Sequence, residues 1–86
     1  LADNHTPEAE MLNREILQTV EAAVAKLPED LRKAITLREM EGLSYEEIAQ
    51  IMDCPIGTVR SRIFRAREVI AKDLRPLLDT SEDQRW

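Results

Sequence analysis

Apolar residues recur along this chain at steps of three and four, and the pattern breaks at prolines and glycines. Leu12, Ile16, Val20, Ala23 and Leu27 form one stripe, broadened by Leu17 and Val24, as on the buried face of an amphipathic helix. Thr6-Pro7-Glu8 marks its start with a hydroxyl cap, a proline at the first helical position and acids in the first turn. Pro28 ends this helix and opens a second, PEDLRKAITLREME, whose inward residues are Leu31, Ala34, Ile35 and Leu37. Gly42 reads as its left-handed stop. Ser44 and Glu47 then stand at capping-box spacing. They predict a short third helix, Tyr45 to Met52, that buries Ile48, Ala49, Ile51 and Met52. Asp53-Cys54-Pro55 is a tight connection, and Pro55 starts a longer fourth helix reaching about Leu74, with Pro76 as its stop. The pattern divides the chain into a flexible linker (1–6), one helical domain (7–78) and a disordered tail (79–86).

The fourth helix, within CPIGTVRSRIFRAREVI, contains an anomaly. Its apolar set is Ile56, Val59, Ile63, Ala66 and Ile70, and Phe64 lies off that line. At about 100° per residue, Ser61, Phe64, Arg65 and Glu68 fall opposite the apolar arc, with Thr58 and Arg60 towards its flanks. Phe64 is therefore expected to project outward among arginines. The alternative is peripheral packing against the first helix or the tail.

Composition narrows the class. With 86 residues the chain is one domain, and aromatics are limited to one Phe, one Trp and one Tyr. Leu, Ile, Ala, Glu and Arg dominate, and glycine is scarce, which favours helices packed on one another: an all-α domain of four helices. A net charge of −5 argues against a nucleic-acid partner until it is mapped. Arg60, Arg62, Arg65, Arg67, Lys72 and Arg75 face only Glu68 and Asp73 between Pro55 and Arg75, a local charge of +4 that leaves −9 on the remainder. A cationic patch on an anionic body can bind a polyanion, while the body suppresses indiscriminate sticking.

Other chemistries find little support. Cys54 is the only cysteine, which rules out an internal disulfide and a zinc cluster and fits a reducing, cytoplasmic setting. It reads as a small buried hydrophobe rather than a redox sensor. No apolar run approaches the ~20 residues of a membrane span. Neither a nucleophile–base set nor a phosphate-cradling glycine loop is present, and Glu46-Glu47 is explained by helix-start electrostatics. No enzyme, cofactor or metal is expected. The absence of an initial methionine suggests a fragment of something longer, although trimming of disordered ends could look the same.

Two helices separated by a tight turn, the second of them basic, form a helix-turn-helix pattern in which the second helix enters the major groove. Phe64 could pack on a thymine methyl group while an arginine fork reads guanine. Thr58 could donate to phosphate beside backbone N–H groups, or serve only as a first-turn residue. Gly57 costs helix stability, which either close backbone approach to phosphate or a crowded turn would justify. Arg62 and Arg67 lie nearer the apolar edges, where phosphate contacts or intramolecular ion pairs are both open. Tyr45 could reach a phosphate through its hydroxyl or pack its ring on Leu43.

The stretch LPEDLRKAITLREMEGLSYEEIAQIMDCPIGTVRSRIFRARE, Leu27 to Glu68, closely resembles region 4 of bacterial extracytoplasmic-function sigma factors of the sigma-E type. A looser similarity extends from Glu8 to Leu78, about 71 of 86 positions. The resemblance implies a four-helix domain of the winged-helix-like superfamily, without a wing, that binds the −35 promoter element within RNA polymerase holoenzyme. It implies base contacts at Arg60, Ser61, Phe64 and Arg65, and backbone contacts at Tyr45, Thr58 and Arg62. It also implies docking on the polymerase β flap and occlusion by a membrane-linked anti-sigma factor, with apolar surface such as Met11 or Met40 as a candidate patch. Nothing here corresponds to region 2, which fits either a dissected C-terminal domain or a stand-alone homologue. Isolated, the domain is expected to be monomeric and to bind DNA weakly.

Two rival readings remain at this level. One is the output domain of a response regulator of the quorum-sensing type, which shares GLS, EIA and TV. Such domains dimerise through the last helix, whereas here that helix is charged and is expected to end at Pro76. The other is a protein-docking module whose arginines pair with an acidic partner.

Overall fold

The computed structural model describes residues 6–83, with side chains through Leu78, and its regular structure is helical throughout. The helices are α1 (Pro7–Ala25), α2 (Glu29–Glu39), α3 (Tyr45–Met52) and α4 (Ile56–Asp83). The expected caps are in place. Thr6 Oγ1 accepts from the Ala9 N–H at 3.1 Å. At the start of α3 the Glu47 N–H donates to Ser44 Oγ at 3.1 Å, and the Ser44 N–H donates to Glu47 Oε1 at 2.9 Å. This reciprocal box satisfies two donors that a helix start leaves without partners.

The two turns that flank α3 are fixed by left-handed residues. Gly42, at φ +71°, reverses the chain after α2, and the Leu43 N–H donates to the Leu37 carbonyl at 3.2 Å across the reversal. Asp53, at φ 53°, closes α3, and the Cys54 N–H returns to the Ala49 carbonyl at 3.1 Å. Aspartate tolerates this conformation better than most residues with a Cβ.

The core gathers on α4, against which each of the other helices packs. Val59, Ile63 and Ala66, spaced four and three apart, are buried with Ile48 and Ala49 of α3, Ala34 and Ile35 of α2, and Leu27 at the end of α1. Ile48, Val59 and Ile63 are the largest fully buried side chains. Burial of one such side chain contributes about 1.5–3 kcal/mol. Polar links join the same elements: Lys26 Nζ lies 2.7 Å from Asp73 Oδ2, and Arg32 donates to the Ala25 and Leu27 carbonyls at 3.4 and 3.5 Å while pairing with Glu29. Cys54 is half-buried against the core. Among the described residues no helix is long and apolar enough to cross a membrane.

Three expectations are corrected. Ile51 is 51 % exposed, because the inward side of α3 is taken up by Ile48, Ala49 and Met52. Leu17 is 61 % exposed, beyond the edge of the stripe that α1 buries. Pro76 does not stop α4, which continues to Asp83. A proline removes one N–H and crowds the carbonyl four residues back, but its φ is helical. Here five turns of established helix precede it and a half-buried Leu77 follows it. Residues 1–5 of the linker expected over 1–6 and the last three residues of the expected tail lie outside the described residues.

Candidate nucleic-acid interface

The stripe of α4 that enters the core determines what its other side presents. With Val59, Ile63 and Ala66 buried, Arg60, Ser61, Phe64, Arg65 and Glu68 are exposed. Phe64 is 63 % exposed, whereas its neighbour Ile63 is 1 % exposed. The outward projection expected from the angular spacing is therefore what the fold produces, and peripheral packing of Phe64 is not.

Beside this face the first turn of α4 borders a shallow cleft of about 540 Å³ lined by Pro55, Gly57, Thr58, Ser61, Arg62 and Arg65, with Asp30 and Leu31 of α2 on the far wall. A methyl group built on Gly57 would meet nothing within 4 Å. The crowded-turn explanation of this glycine is therefore excluded, and its backbone lies open to whatever enters the cleft. Thr58 is half-buried at the same edge, with its N–H donating to the Pro55 carbonyl at 3.0 Å.

The arginines of α4 divide by what holds them. Arg62 is half-buried, with Nε 3.6 Å from Asp30 Oδ2 and Nη1 3.7 Å from Cys54 Sγ, so the intramolecular alternative is realised while the residue still lines the cleft. Arg67 Nη2 lies 2.6 Å from Glu39 Oε2. That hydrogen bond, with a smaller contribution from Tyr45, holds the Arg67 guanidinium above its ordinary pKa. Arg65 is exposed and makes no hydrogen bond or ion pair among the described residues.

Tyr45 is half-buried against the core, and guanidinium groups gather around its ring. The Arg38 guanidinium carbon is 4.8 Å from the ring centroid, and that of Arg60 is 5.7 Å from it. Arg38 also donates to the Leu43 carbonyl at 2.8 Å, bracing the α2–α3 turn. Arg38 and Glu39 are not among the residues to which the sequence points. They stand at the end of α2, and no local pattern there signals a meeting with Tyr45 or with Arg67.

The presented surface is thus a helix carrying one bare arginine, an exposed aromatic ring, a hydroxyl and a ring-held arginine, beside an open glycine turn. Residues 17–70 match the family described as Sigma-70, region 4. The chain belongs to that family. It is 63 % identical over 78 residues to the extracytoplasmic-function RNA polymerase sigma-E factor of Haemophilus influenzae. It is 64 % identical over 78 residues to the RNA polymerase sigma-H factor of Pseudomonas aeruginosa, and 62 % to the sigma-E factor of Escherichia coli K12. These alignments cover 91 % of this chain but only 40–41 % of the relatives, so the chain spans about two fifths of their length. A region 4 domain is a helix-turn-helix, and here α3, the Asp53–Pro55 turn and the first half of α4 supply it.

Proposed function

We propose that this chain recognises the −35 promoter element as the C-terminal domain of an alternative, extracytoplasmic-function sigma factor that directs RNA polymerase to stress-type promoters. In this reading α4 lies in the major groove, Arg60, Ser61, Phe64 and Arg65 meet base edges, and Tyr45, Thr58 and Arg62 face the sugar-phosphate backbone. The observation that carries it is the exposed, unpaired Arg65 next to the exposed Phe64 on a helix whose opposite stripe is sealed in the core. An arginine fork and an apolar ring side by side are the groups that distinguish guanine and thymine in the major groove. The domain acts by binding rather than catalysis, in the cytoplasm where the polymerase works.

Its protein partners are read from a second surface. Between α1, α2 and α4 runs an apolar groove of about 380 Å³, lined by Leu17, Val20, Val24, Ile35, Met40 and Ile70 with Glu21 and Glu39 at its rim. Its exposed Leu17 and Met40 fit docking of the polymerase β flap, and an anti-sigma factor covering either surface would silence the domain. The chain itself is read as monomeric. Val69, Ile70, Leu74 and Leu77 of the long helix are each half-covered by its own fold, which leaves little of the last-helix surface that a response-regulator-type dimer needs.

Selection from a randomised duplex library tests the function. A sigma-E-type −35 sequence should emerge and bind at least tenfold more tightly than scrambled duplex. Equal binding of the two would favour the docking-module reading.

A further inference from the structure

The geometry points to Tyr45 as a positioning residue for base recognition: its ring face, rather than its hydroxyl, holds Arg60 in place beside Arg38. This inference rests on the DNA-reading function proposed above and assigns a part within it.

The long side chain of an exposed arginine on a helix samples many rotamers, and forming a two-pronged bond to one base edge freezes them. A platform that already restricts the side chain lowers that loss, so affinity for the correct base rises without any new contact to DNA. The Tyr45 ring is such a platform. It sits at the first position of α3, locked by the Ser44–Glu47 capping box on one side and half-buried in the core on the other. The Arg60 and Arg38 guanidinium carbons lie 5.7 and 4.8 Å from its centroid, within the range in which a ring quadrupole attracts a cation. Arg38 is tethered a second time, through its 2.8 Å bond to the Leu43 carbonyl. The ring thereby gathers charge from α2 and α4 at one place, although 22 positions separate Arg38 from Arg60 in the chain.

Two substitutions separate the ring from the hydroxyl. Tyr45→Phe keeps the platform and should discriminate among single-base-pair variants of the library-selected duplex as wild type does. Tyr45→Leu should lose about threefold or more of that discrimination at one base pair, over and above whatever uniform loss of affinity it shares with Tyr45→Phe. If Tyr45→Phe loses that discrimination as Tyr45→Leu does, the hydroxyl is the working group and the inference fails. It fails equally if Tyr45→Leu discriminates like wild type.

A readout on the free wild-type protein needs no variant to fold. The Arg60 Hδ and Hε resonances should carry an upfield ring-current displacement that those of Arg65 lack. Matching shifts for Arg60 and Arg65 would overturn the proposed geometry. Should wild type itself select no sequence, the function proposed above falls, whereas loss of only the Tyr45 effects removes this inference and leaves that function standing.

Discussion

Arg62 on α4 reaches back to Asp30 in the first turn of α2, with Nε 3.6 Å from Oδ2, so a carboxylate occupies the wall of the cleft that the basic helix borders. The pair is mostly solvent-accessible on the Asp30 side, and its contribution to stability is correspondingly small. Its larger consequence is electrostatic: it offsets one positive charge at the edge of a surface suited to a polyanion.

Asp30→Ala should therefore tighten binding to specific and scrambled duplex alike. It should also steepen the salt dependence, by up to about 0.9 in the slope of log K against log salt for one additional phosphate neutralised. Fluorescence anisotropy at several salt concentrations measures both. An unchanged slope would show that Asp30 stands too far from the duplex to matter.

Arg62 and Arg65 should fail differently. Arg65→Ala is expected to relax preference at one base pair, at a cost of about 1–3 kcal/mol for the preferred duplex. Arg62→Ala should weaken all duplexes similarly and flatten the salt slope. Binding to a panel of single-base-pair variants distinguishes them, and identical profiles for the two would refute the division into base and backbone contacts.

Gly57→Ala should separate stability from binding. A methyl group meets open space within the protein, so the substitution should stabilise α4 by up to about 0.5–1 kcal/mol. The same methyl group projects where a phosphate is proposed to approach, and duplex affinity should fall. Thermal denaturation and anisotropy on the same sample test the pair of outcomes. A stabilised protein with unimpaired binding would remove the backbone of Gly57 from the interface.

Adjacent residues on α4 offer an internal control. Ile63→Ala deletes a side chain that is almost wholly buried and should cost about 2–5 kcal/mol in denaturant melts. Phe64→Ala, one position on, should change stability by no more than about 0.5 kcal/mol and instead reduce duplex discrimination.

Much of this arrangement was legible in the sequence because its causes are local. Ser44 and Glu47 announce α3 through atoms three residues apart, Gly42 supplies a backbone conformation that other residues resist, and helical spacing alone turns Phe64 away from Ile63. Periodicity identifies a face but not the extent of what covers it, which is why Ile51 and Leu17 carry the spacing of buried residues and are half or more exposed. The passage of α4 through Pro76 escaped for a related reason: the local penalty of a proline can be read, but the packing of Leu77 beyond it cannot. The cluster around Tyr45 was the least accessible part. Arg38 and Arg60 come from different helices, and only the stacking of α2, α3 and α4 brings them to one ring.

Whether the outward face of α4 reads a duplex can be seen residue by residue, by mapping amide chemical shifts while titrating the isotope-labelled chain with its library-selected duplex. The largest changes should fall on Gly57, Arg60, Ser61, Phe64 and Arg65, with Arg38 and Tyr45 next and α1 nearly still. Changes centred instead on Leu17, Val20 and Met40, or the same pattern at the same affinity with scrambled duplex, would contradict that role for α4.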